Sequence, residues 1–131
     1  MAQPIDTAQA SILIVDDEYA FRQLVHATFD SFPEVVVEAS NGMEALAIAH
    51  LHCPTVVILD LGMPGLDGID VCRSLRADPT LGAPTVIVVS GSASLSAKDE
   101  ALAAGADYYL AKPFSPTTLL GLVALGLERR S

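Results

Sequence analysis

The stretch Thr55-Val56-Val57-Ile58-Leu59-Asp60-Leu61-Gly62-Met63-Pro64-Gly65-Leu66-Asp67-Gly68 decides the fold. Its first residues are all apolar or β-branched, the mark of a strand buried on both faces. The run ends on a carboxylate, Asp60, and passes at once into a loop rich in Gly and Pro. In an open α/β sheet the crevice beyond the carboxyl ends of the strands is where ligands bind. That would place Asp60 at its lip. Read alone, Asp60 serves equally well as a turn residue ahead of Gly and Pro. The segments on either side separate the two readings.

Upstream, Ser11-Ile12-Leu13-Ile14-Val15 is a second buried run, and it leads straight into Asp16-Asp17-Glu18. Helical spacing at Phe21, Leu24, Val25 and Thr28 predicts a helix over 19–30, broken by Pro33. Val35-Val36-Val37 then reads as a strand. Asn41-Gly42 opens a helix through Met43, Leu46, Ala47 and His50, closed by Pro54. Downstream, Ile69, Cys72 and Leu75 give one face of a helix over 68–77, and Pro79 and Pro84 bracket a loop. A fourth buried strand over 85–89 ends on Ser90. A helix over 96–104 stops at Gly105, a C′ glycine by position. A short strand over 108–111 leads to Lys112-Pro113, and a last helix over 116–129 has Pro in its first turn.

Five strands alternating with five helices through short connections call for an α/β fold. The expected architecture is a doubly wound, five-stranded parallel sheet of order 2-1-3-4-5, flavodoxin-like. Residues 1–10, small, polar and aperiodic, read as a flexible lead-in, and 11–131 as the single domain.

Composition narrows the function. Of the 131 residues 51% are hydrophobic and 18% charged, so the chain is a compact globule with one real core. The net charge of −9 argues against direct nucleic-acid binding, which needs a basic stripe. The opening Met1–Asp6 has neither a positive n-region nor an apolar h-region, so it does not read as a signal peptide. The apolar run from Leu119 to Leu127 is too short to span a bilayer. Cys53 and Cys72 lack paired spacing and read as two reduced thiols. A cytoplasmic protein with no membrane insertion is expected.

If the strands are parallel, their C-terminal ends share one edge of the sheet. That edge would carry Asp16 and Asp17 from the first strand, Asp60 from the third, Ser90 from the fourth and Lys112 from the fifth. Like charges at close range repel, so packing gives no reason for three acids to gather there. A hard cation does. Carboxylates with waters and a backbone carbonyl suit Mg²⁺, with Mn²⁺ as the alternative, and phosphate oxygens complete such sites. Lys112 then reads as a second cation for a phosphoryl group, and Ser90 as its hydrogen-bond donor.

This constellation resembles the receiver domain of two-component response regulators, over about Ser11 to Arg129. The acidic pair, the Asp ending strand 3, Met63-Pro64-Gly65, the hydroxyl ending strand 4 and Lys112-Pro113-Phe114 occur in family order. The resemblance implies Asp60 as phosphoacceptor, Asp17 as a direct Mg²⁺ ligand, Asp16 acting mainly through water, and the Gly62 carbonyl as a further ligand. It implies Ser90 and Tyr109 as the switch pair and Lys112 as the phosphate-pairing lysine. The family often has a cis bond before the proline that follows its lysine. The implied donor is a histidine kinase or a histidine phosphotransfer protein. The implied output is a downstream protein or domain, reached through helix 4, strand 5 and helix 5. The chain would assist its own phosphorylation and dephosphorylation and would not otherwise be an enzyme.

Taken singly, each residue has a plainer role. Asp16 would cap a helix, Ser90-Gly91 would make a turn, Tyr109 would be a static edge aromatic and Lys112 a solvated charge. Together with Asp60 as a turn residue, these require five coincidences at one edge. His26, His50 and His52 fall away from that edge and read as ordinary surface residues. A flavodoxin would need a Ser/Thr/Gly-rich loop where Asp16-Asp17-Glu18 stands. An aspartyl-phosphate phosphatase would carry a second Asp where Gly62 stands. Gly62 and Ser92 are small where the family often carries larger side chains, which leaves water more room near the phosphoryl group.

The last helix is apolar on more than one face, and Gly121 and Gly126 weaken it by up to ~1 kcal/mol each relative to Ala. A stripe including Leu122 and Leu125 is expected to dock on a partner or on a second copy, giving a homodimer through helix 5. The ending Glu128-Arg129-Arg130-Ser131 reads either as a true terminus or as the start of a linker to an output domain.

Overall fold

A computed structural model describes residues 11–62, 68–91 and 94–128. The expected lead-in over 1–10, Met63-Pro64-Gly65, Ser92 and residues 129–131 lie outside the described residues. The strands are β1 (Ser11–Val15), β2 (Val35–Ala39), β3 (Val56–Asp60), β4 (Thr85–Ser90) and β5 (Tyr108–Ala111). The helices are α1 (Tyr19–Thr28), α2 (Gly42–His52), α3 (Gly68–Ala77), α4 (Leu95–Ala103) and α5 (Pro116–Glu128), with a short 3-10 turn over Pro79–Leu81. All five strands pair in parallel in the order β2-β1-β3-β4-β5, as expected.

The strands sort their residues by alternation, since successive side chains face opposite sides of a sheet. Leu13, Val15, Val57, Leu59, Val86 and Val88 face α2 and α3, where Ala45, Ala49, Cys72 and Leu75 meet them. Ile12, Ile14, Val56, Ile58, Ile87 and Val89 face α1 and α5, against Val25, Phe29, Leu119 and Val123. Both faces are covered, which is why the strands read as continuous apolar runs.

Two helix starts carry their own caps. The Asn41 side chain accepts from Glu44 N at 2.8 Å, while Glu44 reaches back to the Ser40 N–H at 2.6 Å. Ser94 Oγ accepts from Ala97 N at 3.2 Å. Each cap satisfies a donor the helix leaves orphaned.

Three sequence expectations change. β2 runs two residues further than Val37, because Glu38 and Ala39 continue the ladder with Ile14 and Val15. The charge of Glu38 is met there by Arg22 Nε at 3.0 Å and His26 Nδ1 at 2.8 Å. The His26 bond, ahead of a modest opposing effect of burial, and the Arg22 contact hold Glu38 below the usual carboxylate range. His26 is therefore part of a polar cluster and not an ordinary surface residue. His50 also has a partner, with Nε2 at 2.9 Å from Asp78 Oδ2.

The third change concerns α5. Leu122 is half-buried and packs against the core, so of the expected stripe only Leu125 stands clear. Gly126 is buried where a Cβ would lie 2.9 Å from Val56 Cγ2 and 3.0 Å from Thr85 side-chain atoms. This glycine lets α5 approach the sheet. At Gly121 an added Cβ would meet nothing within 4 Å.

Candidate functional site at the strand ends

The sheet order makes the site. Val15 pairs with Leu59, so the next residues, Asp16 and Asp60, stand side by side at the ends of β1 and β3. Asp60 also pairs with Val89, which places Ser90 one residue beyond on β4. Ser90 pairs with Ala111, and the Lys112 N–H donates to the Ser90 carbonyl at 2.7 Å. Four strand ends thus present Asp16, Asp60, Ser90 and Lys112 along one edge, with Asp17 beside Asp16.

Carboxylate oxygens of Asp16, Asp17 and Asp60 lie within 4.8 Å of one another. Asp16 is fully buried, Asp60 is 6% exposed and Asp17 is exposed. Asp16 is engaged through both oxygens. Oδ1 accepts from Glu18 N at 2.9 Å, and Oδ2 accepts from Lys112 Nζ at 3.1 Å. Its carbonyl accepts from Arg22 Nη1 at 2.7 Å. The bond to Glu18 is a short-range turn contact, and the bond to Lys112 gives Asp16 a role beyond capping. Lys112 Nζ also stands 3.7 Å from Asp60 Oδ1, and Gly62 N donates to the same oxygen at 3.3 Å.

The electrostatics follow from that geometry. Burial and then the neighbouring Asp16 charge push the Asp60 carboxyl above its ordinary value, against the opposing pull of Gly62 N and Lys112. Burial acts to lower the Lys112 ammonium. Its bond to Asp16 and the charges of Asp60, Asp16 and Glu18 outweigh that and hold it above its ordinary value. The edge is an acid-rich pocket with one ammonium, short of positive charge.

Backbone packing fixes the end of β3. A Cβ on Gly68 would lie 2.8 Å from Leu61 Cα and 3.0 Å from the Asp60 carbonyl, so only glycine lets α3 begin directly behind Asp60. Gly62 is the opposite case. It is exposed, and a Cβ there would lie 3.8 and 3.9 Å from the two Asp60 oxygens in ordinary contact.

A family model for the response regulator receiver domain matches residues 12–124. The chain belongs to that family. Among curated relatives, this receiver domain is 40% identical over 120 residues to the transcriptional regulatory protein KdpE of Mycobacterium tuberculosis, covering 92% of this chain and 52% of that one. It is 38% identical over 118 residues to the probable transcriptional regulator ycf27 of Guillardia theta, covering 90% and 45%. The chain thus spans about half the length of the curated relatives it matches. Among solved structures, the receiver domain of Francisella response regulator 1452 superposes with a TM-score of 0.86 at 31% identity, over 94% of this chain and all of that one.

Receiver domains of two-component systems generally bind Mg²⁺ through an acidic pocket, and the donor set here fits such an ion. Three carboxylates are close together, and one is destabilised by the next. Tyr109 pairs with Val88, two residues before Ser90, so Tyr109 and Ser90 belong to one face of the β4–β5 pair. Tyr109 is half-buried against the core on the side of α2 and α3. The Lys112–Pro113 bond is cis.

Sequence reasoning missed two neighbours of the site. Arg22 ties the Asp16 carbonyl to Glu38, and Phe21 lies under Lys112 with Nζ 4.3 Å from the ring centroid. The signal for Phe21 was present in its position five residues after Asp16, but helical spacing explained it as a core residue.

Proposed function

We propose that this receiver domain accepts a phosphoryl group on Asp60 from a phosphohistidine of a histidine kinase or a histidine phosphotransfer protein. The observation that carries the reading is the Asp60 carboxylate, nearly buried, with two acids within 4.8 Å and Lys112 Nζ at 3.7 Å. An Asp60 oxygen attacks phosphorus, the bond from phosphorus to the donor imidazole nitrogen breaks, and an acyl phosphate forms. Such transfer needs little covalent help, so positioning and charge stabilisation account for most of the rate. Lys112 pairs with a phosphoryl oxygen, and Ser90 donates a hydrogen bond to another.

Asp16, Asp17 and Asp60, with the Gly62 carbonyl, would hold Mg²⁺ or Mn²⁺, which when bound neutralises phosphoryl charge. Both Asp16 oxygens are already engaged and Asp17 is exposed, which supports Asp17 as the direct ligand and Asp16 as the one acting through water. Water later attacks the acyl phosphate in the same site. The domain assists both steps and is otherwise no enzyme.

Movement of Ser90 toward the phosphoryl group opens space for Tyr109 to turn, and the surface of α4, β5 and α5 shifts population. That surface addresses a downstream protein or an output domain. A homodimer through α5 would centre on Leu125, 47% exposed. The cytoplasm is the proposed compartment; among the described residues no helix is long and apolar enough to cross a membrane.

Intact mass after incubation with acetyl phosphate tests the reading. One added phosphoryl group with Mg²⁺, and none with EDTA or in Asp60→Asn, is the expected result. If neither a mass adduct nor phosphate release follows from acetyl phosphate or from a phosphohistidine donor, the reading is wrong.

A further inference from the structure

We propose that Phe21 is the positioning residue for Lys112, holding the ammonium over the acceptor carboxylate by the negative face of its ring. The inference rests on Lys112 acting in phosphoryl transfer to Asp60, as proposed above. It adds a residue on α1 to a site otherwise built from strand ends.

Lys112 Nζ has neighbours of two kinds. Asp16 Oδ2 at 3.1 Å and Asp60 Oδ1 at 3.7 Å draw it toward the acids. The Phe21 ring, with its centroid 4.3 Å away, lies within cation–π range. A lysine ammonium is a compact charge on a flexible four-carbon stem, so two carboxylates alone leave it free to slide between them. A ring face adds a fixed surface against which it can rest. Phe21 is itself held edge-on by Phe114, at 6.0 Å between centroids and 86° between planes. Phe114 comes two residues after Lys112. The β5–α5 loop thus supplies both the lysine and the support for its seat.

Core packing alone accounts poorly for the aromatic. Phe21 is half-buried and lines an open apolar groove of about 370 Å³ between α1 and the start of α5, with Leu24, Phe114 and Lys112. An aliphatic side chain would cover that wall too, at the loss of the edge contact with Phe114. What an aliphatic side chain cannot supply is a quadrupole facing an ammonium.

The test is the rate of phosphorylation by acetyl phosphate with Mg²⁺ in the wild type, Phe21→Leu and Phe21→Tyr. A further series carries phenylalanine with one, two or three ring fluorines placed at position 21 alone. Fluorination drains the ring face while nearly preserving shape, so it remains informative even if Phe21→Leu fails to fold. The expected result is a fall of about three- to tenfold in the maximal rate constant for Phe21→Leu. A stepwise fall along the fluorine series and a near wild-type rate in Phe21→Tyr should accompany it, with donor half-saturation little changed. The Lys112 ε-methylene protons should resonate upfield in the wild type, under the ring current, and move downfield in Phe21→Leu. A wild type that reacts through Asp60, with rates flat across the fluorine series, overturns this inference and leaves the acceptor reading intact. A wild type that takes no phosphoryl group from any donor overturns both.

Discussion

Replacing Asp60 by Asn should make the metal-free protein more stable, although it removes the residue on which the proposed chemistry depends. At an effective dielectric of about 20, the Asp16 charge at up to 4.8 Å repels an ionised Asp60 by about 3.5 kcal/mol. On the same scale the Lys112 ammonium, 3.7 Å away, attracts it by about 4.5 kcal/mol. These two nearly offset, so the remaining effects set the sign. Asp60 is 6% exposed and has lost most of its hydration, and Asp17 adds further repulsion. The carboxyl sits above its ordinary value for these reasons, burial first and Asp16 next. Asn keeps the shape without the charge. Asp17, exposed and therefore screened, repels an ionised Asp60 by about 1–2 kcal/mol at up to 4.8 Å, and a gain of about that size at pH 7 is expected, or several degrees in Tm for a domain of this size.

The pH dependence has a definite sign. A folded-state value raised above the ordinary 3.8 means the penalty is absent below pH 3.8, where the carboxyl is protonated in both states. Stability is then lost as pH rises through the folded value. The advantage of Asp60→Asn should therefore vanish on acidification toward pH 3.8 and level off at higher pH. Urea unfolding followed by circular dichroism in EDTA across this range measures it. Adding Mg²⁺ should stabilise the wild type by mass action and close the gap. A variant less stable than wild type in EDTA at pH 7, or an advantage that persists in acid, would refute the picture of an edge short of positive charge.

Three further substitutions separate what holds the fold from what tunes the site. Gly126→Ala should cost about 1–3 kcal/mol, because its Cβ would press on Val56 and Thr85. Gly121→Ala, opening into free space, should gain up to ~1 kcal/mol; urea unfolding of both variants checks this, and reversed signs would mean α5 is seated differently. Gly62→Leu should lengthen the life of the phosphorylated form by about fivefold, equivalent to about 1 kcal/mol of barrier. Its side chain would start 3.8 Å from an Asp60 oxygen and displace water there, and phosphate release after donor removal measures the rate.

The strands were legible because both faces of the sheet are covered, and their order follows the flavodoxin-like pattern expected of five short alternating units. Strands buried on two sides must be apolar throughout, and β1, β3 and β4 are fully buried along their length. The sequence pattern stops β2 at Val37 because Glu38 looks like a strand end. Its charge, partly solvated on this edge strand, is met by Arg22 and His26 from α1, a contact no local pattern encodes. The sequence pattern puts Leu122 in an outward stripe because an all-apolar helix does not announce which way it is rotated. Asp16, Asp60 and Lys112 were legible because parallel strands of similar length bring their ends to one edge. Arg76 was invisible for the opposite reason. An arginine near a helix end reads as a surface charge, yet its guanidinium donates to the Gly105 and Pro84 carbonyls at 2.6 and 2.7 Å and pairs with Asp107.

The acids and the ammonium of this site are positioned by different parts of the structure. Asp16 and Asp60 leave adjacent strands in register, so their separation is fixed by the backbone ladder of β1 and β3. Lys112 starts on the far side of β4, tied by its N–H to the Ser90 carbonyl, and reaches the acids only through its extended stem. Moving the carboxylates requires deforming the sheet. Moving the ammonium requires only rotations in a side chain whose outer wall is Phe21. Substitutions at Phe21 or in the β5–α5 loop should therefore alter the cation's position while leaving the acidic cluster in place. They should change phosphorylation rate more than metal affinity, whereas substitutions within β1 or β3 should change both together.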